Sequence, residues 1–299
     1  MTTVGIIANP AAGKDIRRLV AHASPVSDGT KVGVVRRAVL GAVGAGAERV
    51  LLSRDRQALT ERAVEGLTLD ADIELVDEAP FGDRSDTMAA AHRFYKDDVG
   101  AVIALGGDGT SRDVASAWLD VPLIAVSTGT NNVFPRATEG TVAGIAAAVV
   151  AGGIVDLDEA ADRMNAIHVV VERADGPATE EVALVDVALV AERFVASRAI
   201  WDPDVLRELV ACIAEPATVG LSAVAGIVHP SPRTTGGGVH VRFGGARTVR
   251  AALAPGQITP LAVSAAQPLE PGIVVELSGP GVLSFDGERD LVLQEADRA

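Results

Sequence analysis

Val102-Ile103-Ala104-Leu105-Gly106-Gly107-Asp108-Gly109-Thr110-Ser111-Arg112-Asp113-Val114 is the stretch on which the reading of this chain turns. Ala101 to Leu105 is apolar without alternation, the pattern of a parallel strand covered on both faces. Three glycines then surround one aspartate, and the spacing from Ser111 to Leu119 predicts a helix. Glycine permits positive φ and close backbone approach, so phosphate oxygens can reach amide hydrogens directly. The helix start at Thr110–Ser111 adds orphan amides and the positive end of a dipole. A carboxylate among anion-binding groups is unfavourable unless it has a chemical task. Accepting the proton of an attacking hydroxyl, or helping to hold Mg²⁺, is such a task. A tight βα turn capped by Asp is the plain alternative.

Outward from this point the first half alternates strand and helix. Val4 to Ala8 is an apolar run ending in the turn signal Asn9-Pro10. Residues 49–53, 72–77 and 122–126 read as further strands. Helical spacing covers 56–67, a helix capped by Ser85 or Asp86 runs through Tyr95, and residues 140–155 read as a buried helix. Gly41-Ala-Val-Gly44-Ala-Gly46 has no strand leading into it and reads as helix, not as a dinucleotide fingerprint. Asn9-Pro-Ala-Ala-Gly13-Lys14 is too short for a Walker A loop. Residues 1–155 therefore read as an α/β nucleotide-binding domain with an open, mostly parallel sheet. Residues 156–299 change texture, with strand-like pieces at 166–172, 182–190, 238–243, 248–252, 273–277 and 281–285 and a helix expected over 204–214. They read as a β-rich, sandwich-like substrate or oligomerisation domain.

The bulk numbers narrow the function. The chain has 299 residues, is 48% hydrophobic and carries a net charge of −14 with no Lys/Arg run. Nucleic acid and anionic membrane surfaces, which select basic patches, are excluded as main partners. Cys212 is the single cysteine, so there is no intrachain disulfide and no four-thiolate zinc site, as expected of a reducing, cytoplasmic setting. No apolar run reaches spanning length, and the N-terminus lacks a signal-peptide pattern. The five histidines show no metal-ligand spacing.

Four pieces occur in order along the chain: Asn9-Pro-x-x-Gly13, Gly106-Gly107-Asp108-Gly109-Thr110, Gly129-Thr130-Asn131-Asn132, and Phe285-Asp286-Gly287-Glu288. Together they resemble the NAD kinase/diacylglycerol kinase superfamily. The helix Ser111-Arg112-Asp113-Val114-Ala115 and the upstream Asp86-Thr87 are most similar to its acetoin-catabolism-type members. The resemblance implies an active site in a cleft between the two domains, and a soluble kinase using ATP and Mg²⁺ on small nucleotides. It implies NAD as acceptor through the ribose 2′-hydroxyl, and a homo-oligomer, dimer or tetramer, without stable membrane association. It marks Asp108 as catalytic. Asn9, Gly13, Gly106, Gly107, Gly109, Thr110, Thr130, Asn131, Asn132 and Asp186 are marked for nucleotide binding, with Asp286 and Glu288 as metal ligands.

One departure bears on the acceptor. NAD kinases carry an Asn-acid pair early in the second domain, and here Ala183-Leu184-Val185-Asp186 puts Val where the Asn stands. A catalytically silent nucleotide-binding homologue and a lipid kinase of the diacylglycerol type therefore stay open beside the NAD-kinase reading. Arg233, in a Pro/Gly-rich loop, is open to phosphate binding or to a plain loop role.

Overall fold

The computed structural model describes residues 1–13, 26–76, 80–129, 132–191, 203–287 and 289–299. Its first sheet is nucleated by two strands buried at every position, Thr3–Ala8 (β1) and Ala101–Gly106 (β4). They lie side by side and parallel, with Ile6 opposite Ile103. Around them come Arg49–Leu52 (β2), Asp72–Leu75 (β3) and Leu123–Ser127 (β5), giving a five-stranded order β3-β2-β1-β4-β5 in which every pairing is parallel. Successive residues of a strand face opposite sides, so Ile6 and Ile103 enter one core and Ile7 and Val102 the other. Helices Asp28–Gly44 (α1) and Gly140–Ala151 (α5) cover the first face. Arg84–Lys96 (α3) and Asp108–Ala117 (α4) cover the second, with Phe94 at its centre. The short helix Leu59–Val64 (α2) joins β2 to β3. The Gln57 amide before this helix and the Leu59 amide at its start donate to the buried Asp55 carboxylate, whose pKa burial raises.

The glycines at 41 and 144 are explained by helix crossing. A Cβ on Gly41 would collide with the Thr141 carbonyl, and one on Gly144 with the Ala38 carbonyl. Small residues let the two backbones touch, which an Ala-rich and aromatic-poor interior needs if it is to stay filled. On the other face of the sheet, Arg49, Glu74, Arg93 and Asp97 form a closed ring of alternating charges, with Arg93–Asp97 at 2.8 Å and Arg49–Asp97 at 3.1 Å.

The chain divides into two compact units, one running through Arg163 and the other from Met164 to Ala299, with the short stretch ending at Phe134 counted in the second. The second unit carries a six-stranded antiparallel sheet ordered β11-β10-β9-β8-β12-β13. Its strands are Asp186–Val190 (β8), Leu206–Ala211 (β9), Gly238–Ala254 (β10), Gln257–Leu269 (β11), Gly281–Phe285 (β12) and Arg289–Leu293 (β13). Helix Leu221–Val228 (α7) covers one face. The ribbon of Ile167–Val171 (β6) and Thr179–Ala183 (β7) packs into the core on the other. A single turn, Leu157–Ala160 (α6), precedes them. Among the described residues no helix is long and apolar enough to cross a membrane.

Three sequence expectations are corrected. The stretch 204–214 holds no helix: after a 3₁₀ turn at Pro203–Val205 it forms strand β9, Leu206–Ala211. Leu206 and Leu209, three apart, fit a helical period better than a strand's, and pairing with β8 and β10 overrides it. Residues 273–277 form no strand; Ile273 and Val274 stand exposed after Pro271-Gly272. Residues 238–243 and 248–252 are one bulged strand, β10, paired along β11.

Gly144→Ala should lower stability by about 1–3 kcal/mol through overpacking, read as an earlier urea midpoint. Gly44→Ala, on the same helix as Gly41 but with nothing within 4 Å of the added Cβ, is the control and should not lower it. Acid should act at Asp97, whose pKa the Arg93 hydrogen bond, and then the Arg93 and Arg49 charges, hold below the ordinary 3.8. A carboxyl with a depressed folded pKa contributes stability above its unfolded value and loses it as pH falls through the folded one. Asp97→Asn should therefore destabilise the protein at pH 7 and leave a smaller difference from the native chain near pH 3.

Candidate functional site

The strand order places the site. From β1 the chain winds outward through β2 and β3, and from β4 it winds the other way to β5, so winding reverses between β1 and β4. Crevices at the carboxyl ends of strands, at such a reversal, are where open α/β sheets bind ligands. The two segments singled out by sequence leave the sheet at this point. β1 ends in Asn9-Pro10, with the Asn9 amide donating to the Leu105 carbonyl at 3.0 Å. β4 ends at Gly106, and Gly107 caps α4, whose first residue is Asp108.

Asn9 ties the two segments together. Its Nδ2 donates to Thr110 Oγ1 at 2.8 Å, and its Oδ1 accepts the Ala11 amide at 2.9 Å. Thr110 is seated on Gly106, where a Cβ would collide with its hydroxyl and Cβ. Gly106 therefore serves close approach, one of the two uses expected of these glycines; the other, positive φ, is met at none of the three. Gly107 is extended at φ −105°, Gly109 is helical, and the left-handed glycine of the region is Gly13 at φ 69°. Asp108 is 8% exposed and occupies the first helical position. That is a favourable place for a carboxylate beside the helix dipole, and one whose neighbouring first-turn amides have no acceptor within the helix. Arg84 of α3 fixes α4 from behind, its Nε bonding Asp113 at 3.1 Å.

Lys31, which the sequence reading passed over, lies beneath this turn. It is 1% exposed, and its Nζ donates to the carbonyls of Asn9 at 3.2 Å and Pro10 at 2.7 Å. A single Lys near a helix start, in a sequence without periodic contrast there, gives no signal of burial. A cavity of about 140 Å³ lies to one side, lined by residues that include Arg54, Val76, Phe81 and Asp86. Asp108 does not line it.

In the second unit, Asp186 opens β8 and is buried. Its amide donates to Asp286 Oδ1 at 3.2 Å and its carbonyl accepts the Asp286 amide at 2.9 Å. Asp286 and Gly287 follow β12 with φ of 49° and 68°, the left-handed conformations that Asp-Gly tolerates in a turn. The Asp286 carboxylate also accepts the Leu184 and Val185 amides. What the sequence offered as a metal ligand thus fastens the β7–β8 connection. Burial first, and then the charges of Asp286 and Asp186, push the Cys212 thiol up. Val185 is buried against Val133, Cys212 and Ile213. Thr130, Asn131 and Glu288 lie outside the described residues; Asn132 is half-buried and counts with the second unit.

Arg233 grips the segment that follows Asn132. Its Nη1 donates to the Phe134 carbonyl at 3.0 Å, its Nη2 to Val133 at 2.6 Å, and its Nε and Nη2 to the two Glu215 oxygens at 3.0 and 2.9 Å. Its guanidinium is thus directed at Glu215 and two carbonyls. Among the described residues no group of three or more His, Cys, Asp or Glu forms a metal cage.

The comparisons with known proteins follow this geometry. A family model described as the ATP-NAD kinase N-terminal domain matches residues 4–154. One described as the acetoin catabolism protein X C-terminal domain matches residues 165–299. Over 98% of its length the chain is 33% identical to acetoin catabolism protein X of Cupriavidus necator, covering 85% of that protein. The chain belongs to the acetoin catabolism protein X family. It thereby falls in the NAD kinase/diacylglycerol kinase superfamily. The fold matches the crystal structure of yeast NADH kinase complexed with NADH with a TM-score of 0.53 at 13% identity, covering 99% of this chain and 78% of that one. A putative diacylglycerol kinase from Bacillus anthracis str. Sterne is similar with a TM-score of 0.46 at 12% identity, over 99% of this chain and 93% of that one.

This member of the acetoin catabolism protein X family should depend on Arg233 for more than loop packing. Arg233→Met removes charge-assisted bonds worth about 1.5–3 kcal/mol, which urea unfolding should register. Arg233→Lys keeps the charge but not the fork, and should recover less than half of that loss.

Proposed function

We propose that this chain is a phosphotransferase that moves the terminal phosphate of ATP to an alcohol of a small-molecule acceptor, with the 2′-hydroxyl of NAD as the first candidate. The observation that carries this reading is Asp108, a carboxylate at the first position of α4, beside the Asn9–Thr110 link and at the reversal of strand winding. The acceptor oxygen attacks the γ-phosphorus, the bond from that phosphorus to the β–γ bridging oxygen breaks, ADP leaves, and the hydroxyl proton passes to the Asp108 carboxylate. Phosphoryl transfer has a loose transition state, so orientation and charge neutralisation matter more than a strong base. An ordinary carboxylate is sufficient for that task.

Asn9, Gly13, Gly106, Gly107, Gly109 and Thr110 fit the donor side: they shape the two turns and present the first-turn amides of α4. Mg²⁺ fits here without a protein cage, because it keeps waters and substrate phosphates as ligands and needs only one or two carboxylates. The ATP phosphates and waters would hold the ion, which would neutralise phosphate charge, and Asp108 would be kept for the hydroxyl proton. Asp286, engaged by three backbone amides, fits a structural role better than a ligand role. Asp186, Asn132, Thr130, Asn131 and Glu288 enter the proposal on the resemblance alone. In this reading the enzyme works in the cytoplasm on nucleotides and assembles as a homo-oligomer, with the single buried Cys212 in keeping with a reducing compartment.

A catalytically silent nucleotide binder is the second reading. Val185 favours it, because an apolar side chain packed in a core stands where NAD kinases place an amide. Incubation of the purified chain with ATP, Mg²⁺ and NAD separates the two. The kinase reading expects NADP, and it expects Asp108→Asn to lower kcat by about 10²–10⁴, the usual weight of acid–base assistance, while ATP still raises the melting temperature. ATP stabilisation without NADP or ADP formation would establish the silent reading instead.

A further inference from the structure

We infer that Lys31 is the positioning residue for the phosphate end of the nucleotide site, holding the Asn9–Gly13 loop in the shape an anion requires; this rests on the nucleotide reading above. Lys31 heads the large side chains that are wholly buried, at 1% exposure. Burying an ammonium costs several kcal/mol even after relaxation. Its position adds a second cost, since α1 begins at Asp28 and Lys31 stands in the helix's first turns, where the dipole favours anions. Asp28, three residues earlier in the same helix, carries the opposite charge. Stability alone is better served by Met or Leu at such a place, because a buried pair is commonly matched or exceeded by apolar residues of similar volume.

The two hydrogen bonds show what the ammonium achieves. They run to consecutive carbonyls, Asn9 at 3.2 Å and Pro10 at 2.7 Å. A carbonyl turned onto Lys31 is a negative dipole end not turned onto an incoming phosphate. Asn9 then occupies its own side chain on both sides, Oδ1 on the Ala11 amide and Nδ2 on Thr110. The chain of contacts from α1 to the first turn of α4 is thus continuous: Lys31, the Asn9–Pro10 backbone, the Asn9 amide, Thr110. Its beginning carries a positive charge, and its end lies two residues from Asp108. Lys31 meets no reacting atom in this scheme. It acts through the loop, and its signature is donor affinity rather than chemistry.

The test uses the full chain. Lys31→Met should weaken ATP·Mg²⁺ binding, measured by ligand-dependent melting, by about tenfold or more, the worth of one charge-assisted contact. kcat at saturating ATP should change by less than about threefold, as for a lost uniform-binding interaction. Asn9→Ala should weaken ATP in the same way, and the double variant should lose less than the two losses added, because both act on one loop. A second measurement leaves the loop intact. The chain has three lysines, Lys14, Lys31 and Lys96, so ¹⁵Nζ-lysine labelling gives a spectrum that Lys14→Ala and Lys96→Ala assign by elimination. The buried Lys31 signal should shift on adding ATP·Mg²⁺. ATP affinity unchanged in Lys31→Met, or an unmoved Lys31 resonance while ATP stabilises the native chain, overturns the inference alone. If Lys31→Met does not fold, the resonance decides. Failure of ATP to stabilise the native chain at all overturns the nucleotide reading and this inference with it.

Discussion

One hydrogen bond, from the Asn9 amide to the Thr110 hydroxyl, holds the candidate site together. It joins the ends of β1 and β4, residues about a hundred positions apart in sequence, at the one place where the sheet's winding reverses. Three other features are conditions for it. Gly106 must lack a side chain, or Thr110 could not fold back over the strand. The β1–β4 register must bring Ala8 opposite Leu105, or the Asn9 amide would miss its carbonyl. Thr110 must lie in the first turn of α4, which makes its hydroxyl a feature of the helix start and not of a free loop. Asp108 inherits its position from this arrangement: a carboxylate on a helix start that is braced from two strands loses little further freedom when a ligand arrives.

The net charge of −14 sets a second constraint. An acidic chain repels a nucleotide triphosphate at long range, but salt screens that field over about 8 Å at physiological ionic strength. On the nucleotide reading, recognition is then decided by groups in direct reach. Backbone amides at a helix start carry partial positive charge without altering the net balance, and a buried ammonium is screened far less than a surface one. The absence of any Lys/Arg run in the sequence is therefore compatible with phosphate binding. It forbids steering, not capture.

How much of this was legible in the sequence follows from how local each determinant is. The strand–turn–helix at 101–117 was legible because its signals are contiguous: an apolar run, three glycines, then a helical period. The glycines' purpose was not, since the partner of Gly106 is a side chain four residues on, and only the fold shows that it packs back. Strand β9 was read as helix because Leu206, Leu209 and Val210 fit a 3.6 period, and its two neighbours come from sequence positions on either side. Strand β11 was missed because Pro260 and Pro268 argue against a strand interior, yet β11 is the sheet's edge, where a missing amide donor is tolerated. Asp286-Gly287 was legible as a hairpin signal. The three amides that its carboxylate gathers from residues 184–186 were beyond reach, as they lie about a hundred positions away.

Val185 shows how a magnitude decides between readings. On the kinase reading, replacing an acceptor-binding amide by an apolar side chain removes a hydrogen bond with a net worth of about 0.5–1.5 kcal/mol. That is a factor of roughly 2–13 in affinity, which alters the acceptor's KM or its identity but is far too small to abolish phosphoryl transfer. The structure adds that Val185 is no vacancy: its side chain fills a cluster with Val133, Cys212 and Ile213, and its amide and carbonyl are committed to Asp286 and to the amides of Cys212 and Ile213. An amide side chain here would need a partner inside that cluster or would have to leave it. Val185 is thus accounted for by the core of the second unit. The machinery around Asp108 stands in the other unit, built from other strands, and nothing in the packing of Val185 removes any of its parts.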